Sequence, residues 1–240
     1  MNERSERTPA RRANASEPDG RHGVGAPPPP VHGVNERSEQ GFNSATSATR
    51  PAPGRYDLGA KVAAFDRSVD GVIERMRGHR VPDTVFVTAS RLGDWSLIWH
   101  LVGLTRAVVE GRRGLRRSLV FAGLLGAESL IVNQGLKRLF NRQRPTIAGD
   151  DRLRVRKPLT SSFPSGHASA AGFGGVVLTD QEGPRSAVLW VPMGATVAFS
   201  RVYVRIHHAS DVVAGVAVGA ALGTVGRGVS RRLLRTNVLR

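Results

Sequence analysis

The sequence predicts an all-α protein, a membrane-embedded bundle of about five transmembrane helices behind a disordered N-terminal tail. Three observations lead there. Five apolar runs of similar length occur at 95–109, 119–136, 163–178, 187–204 and 212–229; Gly and Ala abound in the third and fifth; and Arg clusters punctuate the runs. Each run approaches the ~20 residues needed to cross a bilayer core. Small residues let helices pack closely in lipid, where no aqueous hydrophobic drive brings them together.

Taken in order, residues 1–56 read as the tail: Gly, Pro, Ser, Asn and Arg dominate, and Pro27 to Pro30 form a polyproline run. Asn-Glu-Arg-Ser-Glu occurs at 2–6 and again at 35–39, too short for a structural repeat. The polar residues 1–12 lead to no expectation of a secretory leader. Residues 57–93 form a helical lead-in, with Leu58, Val62, Phe65, Val69, Val72, Ile73 and Met76 at helical spacing, suited to packing on the bundle or lying at the membrane surface. Residues 94–230 hold the five runs, and 231–240 read as a basic C-terminal tail. His100, Glu128 and Asn133 fall inside the first two runs, where buried polar groups need partners. Glu128 or His100 could border a ligand path, although contact between neighbouring helices is the simpler reading. Arg106, near the end of its run, can snorkel.

The formal charge of +16 brings polyanionic partners into consideration: nucleic acid, an anionic membrane or a phosphorylated substrate. Residues 1–56 carry eight Arg against six acidic residues, so +14 belongs to the apolar part. Nucleic-acid binders carry such charge on a soluble domain with a readable motif; here no nucleic acid is expected. With no cysteine in the chain, disulfides, thiolate metal sites and Cys nucleophiles are excluded.

Three segments carry chemistry. The first ends the second run: Lys137 and Arg144 are seven apart, on one face if helical, and Pro145 would end that helix. Two fixed cations make a phosphate clamp, although a basic helix end beside anionic headgroups looks the same. The second segment, Ser162-Phe-Pro-Ser165-Gly166-His167, opens the third run; backbone N–H groups at a helix start can face an anion, and Ser165 adds a hydroxyl. In the third, Ser200-Arg201 is followed by His207 and Asp211, four apart. On a helix that spacing sets carboxylate beside imidazole, fixing the tautomer and freeing the other nitrogen to attack.

In this order, K-x6-R-P, P-S-G-H and S-R-x5-H-x3-D resemble the signature of the phosphatidic acid phosphatase type 2 superfamily, which includes the vanadium-dependent haloperoxidases. The resemblance covers residues 137–211, or about 95–226 with flanking helices. It departs at His208-Ala209, where relatives often show Tyr-Pro; His208 is expected at the site entrance without a catalytic role. What the resemblance implies is a metal-independent phosphatase acting on a lipid phosphate or diphosphate, phosphatidic acid-like or polyprenyl, with no cofactor. His207 would be the nucleophile, forming a phosphohistidine, with Asp211 orienting it and His167 as general acid and base. Lys137, Arg144 and Arg201 would neutralise the phosphate oxygens, helped by Ser165 and the Gly166 N–H. Arg138, Arg142, Arg152, Arg154, Arg156 and Lys157 are expected to be solvated loop charges or headgroup contacts. A haloperoxidase-like enzyme holding vanadate, or a catalytically silent membrane scaffold, are the alternatives; short runs oppose the first and the intact His167, His207 and Asp211 the second.

The expected location is multi-pass in the cell membrane, with the bilayer and a lipid phosphate as partners. Arg112, Arg113, Arg116 and Arg117 lie between the first two runs, and Arg227, Arg231, Arg232, Arg235 and Arg240 follow the last. By the positive-inside rule these would be cytoplasmic and the active site extracytoplasmic, although the active-site loop is equally basic and five crossings would leave the polar tail outside. Oligomeric state is not legible in the sequence.

Overall fold

The computed structural model describes residues 58–145, 153, 155 and 160–236. The tail at 1–56 and Arg152, Arg154, Arg156, Lys157 and Arg240 lie outside them. Within Tyr56–Arg240 the chain is one compact unit, and its described residues contain helices and no strand. The lead-in is α1 (Leu58–Glu74) and α2 (Arg80–Gly93). A 3-10 turn at Asp94–Ser96 leads to α3 (Leu97–Glu110), and Gly111, at φ 62°, turns the chain into α4 (Arg112–Leu130). This helix continues through a π turn (Ile131–Gly135) and a 3-10 turn (Leu136–Leu139). Then come α5 (Gly166–Glu182), α6 (Ala187–Tyr203) and α7 (Ala209–Arg235).

Each apolar run is thus a helix, α3 to α7. Two continuous stretches, Arg112–Leu139 and Ala209–Arg235, are long and apolar enough to cross a membrane, with only 22% and 28% of their most apolar windows buried. The core helix of a soluble protein would hide that surface. Here Leu104, Val109, Leu119, Leu130, Val188 and Val225 face outwards, as lipid contact requires. With 17 residues each, α5 and α6 reach about 26 Å, and their flanking turns complete a ~30 Å core.

The lead-in uses both of its expected surfaces. Ile73 is buried, with Val69 and Met76 packed beside Val202, Tyr203 and Ile206. Leu58, Phe65 and Val72, seven apart, stay exposed in a stripe suited to the membrane interface. Arg106 does not snorkel. It is buried, held by Glu182 at 3.1 Å and Gln181 at 2.9 Å, because α5 brings two acceptors to it.

The closest helix pair is α5 with α7. A Cβ on Gly219 would stand 1.9 Å from the Ser169 carbonyl oxygen, and one on Gly215 would stand 2.5 Å from that of Ser165. Backbones this near tolerate no side chain. Their approach also sets the first turn of α5 against that of α7: the Ser165 N–H donates to the Asp211 carbonyl at 3.0 Å. Gly219→Ala is therefore expected to destabilise the protein by roughly 1–3 kcal/mol. Gly123→Ala, with open space around it, should leave the unfolding temperature in detergent unchanged. Equal melting of the two variants would contradict this packing.

Candidate active site

A cavity of about 840 Å³ opens at the end of the bundle where α4 ends and α5 begins. Lys137, Gly166, His167, Arg201 and His207 all line it. These five come from all three motif segments, so cations and imidazoles far apart in sequence share one chamber.

His207 lies in the turn between α6 and α7, not on a helix. The chain leaves α6 through Arg205 at φ 54°, a left-handed conformation uncommon for a residue with a Cβ. Glu74 of α1 pairs with the Arg205 guanidinium, and the His207 N–H donates to the Arg201 carbonyl at 3.1 Å. The imidazole is 2% exposed. Arg144 Nη1 lies 3.1 Å from Nε2. A guanidinium can only donate, so Nε2 carries the lone pair and Nδ1 the proton. Burial first, then the positive charges of Arg144, Arg201 and Lys137, push His207 down to about 3, against the opposing pull of Asp211. Burial and the surrounding cations thus favour the neutral ring.

Asp211 sits behind His207 by a route the i, i+4 spacing does not describe. It is the third residue of α7, and its carboxylate accepts the His208 backbone N–H at 2.9 Å. The direct Nδ1–Oδ2 distance is 3.6 Å. Ser162 is interposed, donating to Oδ2 at 2.5 Å with its oxygen 3.4 Å from Nδ1. The other carboxylate oxygen accepts from Arg142 at 2.5 Å. Arg142 is thus no solvated loop charge: its second nitrogen reaches Asp66 of α1 at 2.6 Å. Asp66 also accepts the Ser210 N–H at 2.8 Å. His208 begins α7 and helps fix Asp211 through its backbone.

Lys137 and Arg144 do not share a helical face. Helix ends at Leu139, six residues before Pro145, after the π and 3-10 turns have shifted the phase. Lys137 reaches the cavity from the last turn. Arg144 reaches His207 from extended chain, also donating to the Ile206 carbonyl at 3.0 Å. Arg201, 1% exposed, donates to Ser90 Oγ of α2. Ser165 caps α5, its hydroxyl accepting the Ala168 N–H at 3.4 Å, and it lies outside the cavity lining. His167 Nε2 meets Asp94 Oδ1 at 3.1 Å.

Sequence reasoning missed Ser90, Asp94, Asp66, Ser162 and the role of Arg142. Only Ser162 and Arg142 lie near a motif. Among the intramembrane polar residues, Glu128 is buried and accepts from Ser169 of α5 while bordering the cavity. His100 and Asn133 line the cavity as well. For Glu128 the structure thus shows the contact between neighbouring helices, at the cavity wall.

Comparison with known proteins follows the same lines. The profile of the PAP2 superfamily matches residues 118–234. The decaprenylphosphoryl-5-phosphoribose phosphatase of Mycobacterium tuberculosis is 34% identical over 140 residues, covering 57% of this chain and 73% of the relative. An undecaprenyl-diphosphatase of Sulfolobus acidocaldarius is 37% identical over 103 residues, 43% of this chain and 47% of the relative. Among solved structures, a transmembrane PAP2-type phosphatidylglycerolphosphate phosphatase from Bacillus subtilis shares the fold. Its TM-score is 0.51 at 22% identity, over 75% of this chain and 93% of that one.

Proposed function

The chain belongs to the PAP2 superfamily, and from that premise we propose that it is a membrane phosphatase of polyprenyl-linked phosphates, working through a phosphohistidine on His207. The observation that carries this reading is the His207 Nε2 lone pair, set by the Arg144 donor in the wall of a cavity shared with Lys137, His167 and Arg201.

In the first step Nε2 attacks phosphorus in line while His167, as the imidazolium, gives its Nε2 proton to the leaving oxygen and becomes neutral. In the second, water attacks the phosphohistidine, His167 takes the water proton, and the P–N bond breaks. Lys137, Arg144 and Arg201 neutralise the phosphate oxygens, with the Gly166 N–H as a further donor, while Ser165 serves by capping α5 behind it; Asp211 orients the nucleophile. The substrate reading draws on the relatives, whose names specify polyprenyl-linked compounds. The cavity supports it. At about 840 Å³ it exceeds a phosphoryl group several-fold, and His100, Ser129, Asn133 and Gln134 line the surplus. That leaves room for polar groups beside the reacting phosphate.

A multi-pass arrangement with the site facing out is part of the same proposal. Arg113, Arg116 and Arg117 share a hollow with Arg231 and Arg235, and Arg116 donates to the Leu233 carbonyl at 2.9 Å. Both Arg clusters therefore occupy one end of the bundle. The chamber lies at the other end, where α5 and α7 begin. An end rich in Arg belongs to the cytoplasm.

Full-length protein in detergent, offered a polyprenyl-linked phosphosugar, a polyprenyl diphosphate and phosphatidic acid, should release phosphate fastest from a polyprenyl substrate. Excess EDTA should leave the rate unchanged, because the anion is held by three fixed cations. Loss of all activity on chelation would overturn the mechanism, and preference for phosphatidic acid the substrate class.

A further inference from the structure

The proton donor of this site has a partner that lies before the segment matched by the family profile. Asp94 Oδ1 stands 3.1 Å from His167 Nε2 and 3.8 Å from Arg201 Nη1. A carboxylate oxygen accepts, so Nε2 of His167 carries a proton in this contact, and the ring also bonds the Ser90 backbone. That is the nitrogen a leaving oxygen must meet. Asp94 is held there by an unusual stretch of chain. Gly93 admits the ring, since a Cβ in its place would stand 2.4 Å from His167 Cδ2. Trp95 and Ser96 then follow at φ 55° and 57°, two consecutive left-handed residues that both carry a Cβ. Strain of this kind persists where surrounding structure imposes it, and it clusters at functional sites. The helical lead-in therefore ends in a bent segment whose side chain reaches the general acid.

We propose that Asp94 is a positioning residue for His167, holding the Nε2 proton toward the chamber until a leaving oxygen takes over that hydrogen bond, so that its importance grows with the basicity of the leaving group. The proposal rests on the reading of His167 as the proton donor. Bonds and charges balance in the step served. The P–N bond to His207 forms as the P–O bond breaks, the bonding pair stays on the leaving oxygen, and His167, entering as the imidazolium beside the Asp94 carboxylate, neutralises it with its Nε2 proton and is left as neutral imidazole. Asp94 exchanges one hydrogen-bond partner and takes no proton. The Arg201 contact couples it to the substrate: phosphate oxygens that draw on Arg201 loosen its hold on Asp94 as the leaving oxygen arrives.

A leaving group that is stable as an anion needs no proton in this step, whereas an alkoxide does. The test compares kcat/KM, which reports the steps through phosphoenzyme formation, for an alkyl lipid phosphate and for p-nitrophenyl phosphate. Asp94→Asn is expected to lower kcat/KM about 100-fold on the lipid phosphate, within the range of a lost general acid. The loss on the aryl ester should be several-fold at most. Asp94→Glu should recover part of the difference. Asp94→Asn added to His167→Asn should cost little beyond His167→Asn alone, because the two residues act as one unit. Equal loss on both esters would make Asp94 merely structural, and unchanged kinetics or an additive double variant would overturn the proposal. Wild-type protein that turns over neither ester would instead sink the phosphatase reading on which it rests.

Discussion

His207→Ala is expected to abolish phosphate release, by on the order of 10⁵-fold or more, while the protein still folds and extracts from membranes normally. The nucleophilic nitrogen has no substitute nearby. His208, the adjacent imidazole, begins α7 with its backbone committed to Asp211, so it cannot bring a ring nitrogen to the same point. Removing the imidazole also leaves Arg144 without its Nε2 partner, but its bond to the Ile206 carbonyl and its bond to the Thr160 carbonyl at 3.0 Å remain. Stability should change far less than rate. Two measurements check this: phosphate release from the preferred lipid, and acid-labile ³²P retained on the protein after a rapid quench. Both should vanish together. Residual turnover near wild type, or labelling that survives the substitution, would remove His207 from the nucleophile's place.

Asp211→Asn should be nearly as damaging, lowering kcat by on the order of 10³–10⁴-fold with little change in KM, as when a triad carboxylate loses control of its imidazole. Here the carboxylate accepts from three directions: Ser162, the His208 N–H and Arg142. An amide has one accepting oxygen, so at least one of these donors would face an NH₂ group. The His207 ring would keep the Arg144 donor at Nε2 but lose the negative charge behind Nδ1 that stabilises the cation formed when Nε2 attacks. Unlike the nucleophile change, this one should also show in unfolding. Arg142 would keep only Asp66 as a charged partner, and breaking one side of such a buried network costs roughly 2–4 kcal/mol. A variant with lowered melting but intact kcat would mean that Asp211 is structural alone.

The motif residues were legible because their chemistry is out of place at the ends of apolar runs. Lys137, Arg144, His167, Arg201, His207 and Asp211 all come to the same end of the bundle. The five helices were legible too, since lipid-facing surfaces leave long apolar runs. Details that depend on phase were not. One π turn and one 3-10 turn break the even seven-residue spacing of Lys137 and Arg144. His207 and Asp211 meet across a helix start with Ser162 between them, which spacing alone cannot show. Asp66, Ser90 and Asp94 were illegible for another reason. Asp66 and Ser90 sit in an amphipathic lead-in whose sequence displays only its apolar rhythm, Asp94 in the turn that follows it, and tertiary contact alone gives them a task.

That contact also orders events in time. Asp66 and Ser210 are bonded across 144 residues of chain, and Asp66 grips Arg142, which grips Asp211. Synthesis delivers α1 first and α7 last. A nascent chain that still lacks α7 has no Asp211 to meet Arg142 and Ser162, although the rest of the network is present. Under the proposed mechanism α7 completes the site, and a chain from which α7 is still missing is expected to release no phosphate.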